Sequence, residues 1–290
     1  MVEPPLPPVR LMRRVGAAPA GQDQVESFLE VGRRARNRLD ELKPAGWSWE
    51  GKRVLDFGCG AGRTLRHFLP DAGQMEIHGC DIDERSIRWL DENLAPLQVF
   101  PVGNEPPLPR PDGSFDAIWA VSVFTHIDPN WAEWLLELRR LLSDDGWLLV
   151  TFLGDGMLDL WDEVSEGEPW NPDRIGRAVF RPFAPWRVGG PIVFQSEWWI
   201  RSHWGRAFTI ERLESSGFRG EGQGQGYAVL RKAPGECTPD DLRRPEPGEA
   251  REAVAATAEE ERRRRELERI VRSRSWRVTE PLRRIRTRAS

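Results

Sequence analysis

The chain has 290 residues, room for one main domain plus appendages. Only 39% of them are apolar, below the roughly 45–50% of a fully globular chain, and the deficit lies in a Pro-rich start (Pro4, Pro5, Pro7, Pro8) and an Arg/Glu-rich end after about Ala250. A formal net charge of −4 gives no case for nucleic-acid binding, and the unpaired spacing of Cys59, Cys80 and Cys237 gives neither a disulfide framework nor a metal motif.

Residues 1–21 are rich in Pro, Gly and Ala and are expected to be disordered. The stretch MVEPPLPPVRLMRR has no apolar core, so no secretory leader is expected. No apolar run approaches the roughly 20 residues of a membrane span. From Gln22 to Leu42, the residues Val25, Phe28, Leu29, Ala35, Leu39 and Leu42 recur near helical spacing. Asp23 can cap that helix, with Glu26 placed as in a capping box, and Lys43-Pro44 ends it. Arg53–Phe57 reads as a strand that closes in Gly58-Cys59-Gly60-Ala61-Gly62, and a helix-like stretch follows to about Phe68. Then come the strand Met75–Cys80, the helix Asp83–Leu94, the strand Phe115–Val121, the helix Trp131–Leu142, a turn at Asp145-Gly146 and the strand Trp147–Phe152. This alternation predicts an α/β fold, a mostly parallel sheet with helices on both faces.

Residues 153–205 break the rhythm with dense Gly and Pro, and read as a substrate-side insertion with little regular structure. Phe208–Leu213 and Tyr227–Arg231 read as a strand pair around the Gly-rich 220–226, closing a domain over 22–234. Residues 235–290 read as a linker, one long charged helix over Glu249–Ser273 and a basic tail, with too few apolar residues to join the core. The tail carries eight arginines between Arg269 and Ser290 against one acid, Glu280. Such a stretch suits an anionic surface.

Chemistry concentrates at the strand ends. In Val54-Leu55-Asp56-Phe57-Gly58-Cys59-Gly60-Ala61-Gly62-Arg63, a strand runs into a glycine turn, which brings backbone close to a ligand at the sheet's C-terminal edge. The Gly-x-Gly-x-Gly spacing differs from the dinucleotide fingerprint Gly-x-Gly-x-x-Gly. Asp56 can take a cationic amine or orient the turn. After the strand Phe115–Val121 comes Ser122-Val123-Phe124-Thr125-His126-Ile127-Asp128. His126 has the residue type for a general base; it equally suits a structural role, capping the next helix. Glu197, Trp198, Trp199, His203 and Trp204 form an aromatic patch that suits a sugar ring or a cation, or simple core packing.

Taken together, these motifs resemble the class I S-adenosylmethionine-dependent methyltransferases. The resemblance covers about Val54 to Phe152 and rests on four segments in order. They are Asp56 to Gly62, then Gly79-Cys80-Asp81-Ile82-Asp83, then Pro107-Leu108-Pro109 through Asp112-Gly113-Ser114-Phe115-Asp116, then Leu138–Leu142 with Asp145-Gly146-Trp147-Leu148. It implies a Rossmann-like methyltransferase fold with S-adenosylmethionine as cofactor. It also implies a cofactor site made by Asp56, Gly58, Cys59, Gly60, Asp81, Ile82, Asn104 and Ser122. In that reading Asp81 accepts from the ribose hydroxyls, Ile82 packs on the adenine, and Asn104 stands where the family commonly carries an Asp for the adenine amino group. Ser122 approaches the methionine part.

A second resemblance concerns the tail. Ser273-Arg274-Ser275-Trp276-Arg277-Val278-Thr279-Glu280-Pro281-Leu282-Arg283-Arg284 resembles the ends of bacterial cell-surface polysaccharide biosynthesis enzymes. It implies methylation of a sugar or glycan hydroxyl, with a biosynthetic partner or an anionic membrane surface met through Trp276 and Leu282. The expected location is cytoplasmic, with a peripheral place at the inner membrane face. A methyltransferase for another small metabolite, or a non-catalytic scaffold keeping a cofactor-like pocket, is the alternative. The lack of an Asn/Asp-Pro-Pro-Tyr/Phe motif argues against methylation of a nucleic-acid base.

Overall fold

The structure, a computed structural model, describes residues 3–165, 167–182, 184–185, 189–220, 222–249 and 253–255. Its centre is a seven-stranded sheet. In chain order the strands are β1 (Arg53–Phe57), β2 (Glu76–Asp81), β3 (Gln98–Pro101), β4 (Phe115–Ala120), β5 (Leu142–Phe152), β8 (Phe208–Glu214) and β9 (Gly226–Lys232). Their spatial order is β3-β2-β1-β4-β5-β9-β8. Every neighbouring pair from β3 to β5 is parallel, and β9 runs antiparallel to both β5 and β8. The predicted α/β, Rossmann-like fold class is therefore the observed one.

The pattern follows from burial on both faces. Val54, Leu55, Ala117, Ile118, Trp119, Leu148, Leu149 and Val150 are each 0% exposed, as befits central parallel strands with helices on both sides. One cover is α2 (Gln24–Leu42), which buries Phe28, Gly32, Ala35, Leu39 and Leu42 at three- and four-residue spacing. Asp23 caps it by accepting from the Val25 and Glu26 N–H groups. A side chain at Gly32 would collide with the Arg63 carbonyl, so this helix lies against the loop after β1. On the other face α4 (Trp131–Leu141) buries Trp131, Trp134, Leu135, Leu138 and Leu141, and α3 (Glu84–Asn93) follows β2. The stretch after the glycine turn is a 3-10 helix, Leu65–Asp71, containing Pro70.

Three expectations change. The start of the chain is not disordered throughout: Val9–Arg14 forms α1, with Leu11 3% and Met12 1% exposed against Phe28 and Ala61. Proline density masked a single helical turn with two adjacent apolar residues. The insertion also has regular structure. α5 (Leu158–Val164) precedes two short strands, β6 (Arg177–Phe180) and β7 (Ile192–Gln195), which pair antiparallel. Its own small core joins Leu153, Trp161, Ala178, Phe180 and Phe194, and α6 (Glu197–His203) closes it. The Pro and Gly residues sit largely in the connections, which hid two four-residue strands.

The third change is at the C-terminal side. The polar stretch after Pro234 does join the core. Leu242, on α7 (Pro239–Arg243), is 0% exposed in the main apolar cluster. Arg206 donates to the carbonyls of Asp241, Leu242 and Arg244, and pairs with Glu246. His203 donates to the Leu242 carbonyl at 2.6 Å and meets Glu249 at 3.1 Å. The expected helix from Glu249 is interrupted at its start by β10 (Ala253–Ala255), which pairs with β6. The remainder of that helix and the basic tail lie outside the described residues. Among the described residues no helix is long and apolar enough to cross a membrane.

This packing sets a test of the boundary. Leu242→Ala should lower unfolding stability by about 2–5 kcal/mol, the cost of emptying a buried leucine site. Urea unfolding of the full-length protein reads it, and a change under about 0.5 kcal/mol would return α7 to the linker.

Candidate active site

In an open parallel sheet, ligands bind beyond the C-terminal strand ends where the strand order reverses. Here that point lies between β1 and β4. A cavity of about 1750 Å³ opens there. Asp56, Gly58, Cys59, Gly60, Asp81, Ile82, Asn104, Ser122 and His126 all line it, so these nine residues expected from sequence meet at one cavity.

The floor is the turn after β1. Gly58 and Gly60 have φ of 79° and 52°, a region where side chains are strained. A side chain at Gly58 would strike Val123, and one at Gly60 would strike Val15. Gly58 and Cys59 donate to the Cys80 carbonyl, so the turn is bonded across to the end of β2. Asp81 completes the tie. Its Oδ2 accepts from the Gly60 N–H and its Oδ1 from the Asp83 N–H, both at 2.7 Å. Each oxygen keeps a further lone pair. Burial pushes the Asp81 pKa up, against the pull of those two N–H groups.

Asp56 is 3% exposed. Burial, with the Asp81 charge beside it, raises its pKa from 3.8 to about 7. It is a carboxyl in need of a cation. Cys59 is 5% exposed, and burial holds its thiol protonated, so it contributes shape and backbone rather than reactivity. Asn104 is exposed, and its carbonyl accepts from Asn130 Nδ2 and Trp134 Nε1, which fixes the loop after β3.

Ser122, two residues after β4, has φ 61°, an unusual conformation for a residue with a side chain. Three hydrogen bonds hold it there. Its N–H donates to Thr151 Oγ1 at 2.8 Å, Thr151 donates to Gln225 Oε1 at 2.6 Å, and Gln225 Nε2 donates to Ser122 Oγ at 2.7 Å. Sequence reasoning missed Thr151 and Gln225. The signal was a lone hydroxyl inside the apolar run Trp147–Phe152.

His126 lies under the insertion. Its Nδ1 donates to the Pro191 carbonyl at 2.7 Å, which sets the neutral tautomer with Nε2 as the basic nitrogen. Burial lowers its pKa below 6.5. The insertion is tied to the same segment: Val193 N–H donates to the Thr125 carbonyl, and Arg177 pairs with Asp128 at 2.7 Å. The aromatic patch, by contrast, belongs to packing. Trp199 and Trp204 are 4% and 0% exposed, Trp199 meets Trp131 edge-on, and Trp198 donates to the Pro172 carbonyl.

Residues 55–148 match the model of a family described as a methyltransferase domain. Among similar proteins, the 2-methyl-6-phytyl-1,4-hydroquinone methyltransferase of Synechocystis sp. is 34% identical over 47% of this chain and 41% of its own. The fatty-acid O-methyltransferase of Mycolicibacterium smegmatis is 34% identical over 35% of this chain and 37% of its own. The chain thus spans about two-fifths of the length of these relatives. A chain from the complex of the Haloferax volcanii Trm112 methyltransferase activator with its methyltransferase shares the fold, with TM-score 0.52, 14% identity, and coverage of 73% of this chain and 97% of that one. With this fold and this match, residues 55–148 are similar to a methyltransferase domain and are carried on a Rossmann-like sheet. The protein's cofactor is S-adenosylmethionine. The residues fit that group: a side-chain-free floor at Gly58 and Gly60, a fixed carboxylate at Asp81 and a buried acid at Asp56.

The raised pKa of Asp56 makes a stability prediction. Its unfolded pKa is near 3.8 and its folded value about 7, so the folded state binds the extra proton. The contribution is complete below about pH 4 and is lost as pH rises through 7. Asp56→Asn removes that loss. Without cofactor, the variant should therefore be more stable than wild type at pH 8 by about 1–4 kcal/mol, with the gap shrinking as pH falls from 7 and closing only near pH 4. Paired thermal melts read it; a variant that is less stable at pH 8 refutes it.

Proposed function

We propose that the protein is an S-adenosylmethionine-dependent methyltransferase that methylates a hydroxyl group, and that the acceptor is a sugar or glycan. The observation that carries the transfer is the meeting of Asp81, the Gly58–Gly60 floor and His126 on one cavity. The cofactor supplies an electrophilic methyl group on its sulfonium. The protein supplies position, because in-line displacement gains most from orientation. Asp81 holds the ribose hydroxyls with the lone pairs left by Gly60 and Asp83. Asp56 faces the amino group, and Ser122, clamped by Thr151 and Gln225, steadies the amino-acid end. His126 Nε2 accepts the proton from the acceptor hydroxyl.

The glycan part rests on the tail resemblance around Trp276. The same tail supports docking to an anionic membrane surface or a biosynthetic partner, on the cytoplasmic face. A second reading, an apolar hydroxylated acceptor, is favoured by Leu153, Met157, Leu160 and Ile192 on the cavity wall. The fatty-acid O-methyltransferase among the relatives points the same way.

Mass spectrometry of products from labelled cofactor, with a panel of glycans and apolar alcohols, decides between the two. Asp81→Ala should weaken cofactor binding by about 1.5–3 kcal/mol, the worth of hydrogen bonds to a charged acceptor; unchanged affinity by calorimetry removes Asp81 from the site. His126→Ala should cut turnover by roughly 10²–10⁴ with cofactor affinity intact. Because neutral imidazole is the working form and its pKa is lowered, the acid limb of the wild-type rate profile should fall below pH 6.5. Near-normal turnover in the variant makes His126 structural.

A further inference from the structure

His126 sits on a connection with little geometry of its own. Residues 121–130, from the end of β4 to the start of α4, form neither helix nor strand. The His126 N–H donates to the Val123 carbonyl at 2.9 Å, and further constraint comes from other elements. The insertion grips this stretch at two points. The Pro191 carbonyl, directly before β7, accepts from His126 Nδ1 at 2.7 Å. Arg177, the first residue of β6, donates through Nη2 to Asp128 Oδ1 at 2.7 Å and to the Ile127 carbonyl at 3.4 Å. Both grips belong to one frame, because β6 and β7 pair antiparallel with Arg177 opposite Gln195. That frame hangs from the main sheet: the Gln195 N–H donates to the carbonyl of Leu153, one residue past β5. From α7, Arg243 donates to the Pro129 carbonyl at 3.2 Å.

The Arg177–Asp128 pair is buried. Its two side chains are 2% and 16% exposed, and Trp131 and Trp199 lie against the guanidinium, with ring centroids 6.0 and 5.8 Å away. Burial pulls the Arg177 pKa down, and the Asp128 charge opposes that pull. An ion pair in such a place loses hydration on both sides and adds little net stability over packed apolar residues. What it adds is direction, because charge-assisted bonds fix where Asp128 lies, two residues from His126. A single bond at Nδ1 leaves the imidazole free to pivot about it. A second grip at Asp128 removes that freedom by fixing the backbone that carries the ring.

Resting on the reading of His126 as the proton acceptor, we infer that Arg177 is a positioning residue for the transfer: its buried pair with Asp128 sets the loop so that His126 presents Nε2 to the acceptor hydroxyl. The insertion then does more than wall the cavity; its frame aims the base.

The test is nitrogen-15 NMR of the histidine rings in the full-length protein at about pH 8, where burial keeps His126 neutral. Its resonances are assigned by their loss in His126→Gln. Wild type should show one tautomer, protonated at Nδ1. Arg177→Gln should bring in the Nε2-protonated tautomer, with both ring shifts moving toward an average. Arg177→Lys should recover part of the wild-type signature, since it keeps the charge without the fork. S-adenosylhomocysteine affinity by calorimetry should stay within about twofold in each variant. Arg177→Met combined with Asp128→Leu removes the pair without stranding a charge, and gives the reading if Arg177→Gln does not fold. A single Nδ1 tautomer kept in the folded variants overturns the proposal. So does a parallel loss of S-adenosylhomocysteine binding, or a double variant with no cooperative thermal melt, since either makes the pair a structural clamp. Near-normal turnover in His126→Ala overturns the base reading itself, and with it the role of Arg177, whatever the tautomer.

Discussion

The site depends on one carboxylate held by two backbone N–H groups. Asp81 receives Gly60 from the turn after β1 and Asp83 from the start of α3. Through these bonds the end of β2 dictates where the glycine turn lies, and the turn dictates where a ligand can lie. The arrangement is bought with burial of charge: Asp56 and Asp81 sit near each other at the sheet edge, 3% and 6% exposed. Both are pushed toward the protonated form by that burial. A fold that gathers acids in a dry place is storing a preference for a cation and for hydroxyl donors. The ligand that satisfies them stabilises the site as it binds.

The same logic explains which parts were legible in the sequence. β1, β2, β4 and β5 are short apolar runs ending in glycine, acid or polar residues, so periodicity and turn chemistry located them. The nine residues expected at the site line one cavity because they sit at or just after strand ends, the edge where an α/β sheet binds ligands. Thr151 and Gln225 were not legible, since their importance is a contact between β4, β5 and the loop before β9. They hold a backbone angle at Ser122 that no local pattern announces.

The appendages escape a reading of composition for a common reason: one or two apolar residues carry each of them. In α1, Leu11 and Met12 anchor a proline-rich start, with Arg66 donating to the Pro4 and Pro5 carbonyls ahead of it. In α7, Leu242 alone enters the core, and the polar residues around it are spent on Arg206 and His203 rather than on water. A segment can join a fold through one leucine if its polar groups are matched elsewhere. Mean polarity over the same residues predicts a linker because it counts the matched groups as solvent-seeking.

These appendages also bear on the chemistry. α1 leads into Val15, which packs where a Gly60 side chain would be, and Arg14 pairs with Asp83 at 2.8 Å. Asp83 in turn donates its N–H to Asp81. The N-terminal segment therefore touches the glycine floor directly and the Asp81 carboxylate through one residue. On the opposite rim, the insertion reaches His126 through Pro191 and the 125–128 segment through Val193 and Arg177. The central sheet fixes the strand ends, while segments distant in sequence supply the walls. Changes in the insertion alone can then reshape that rim while the glycine turn keeps its place, because the two are carried on different elements.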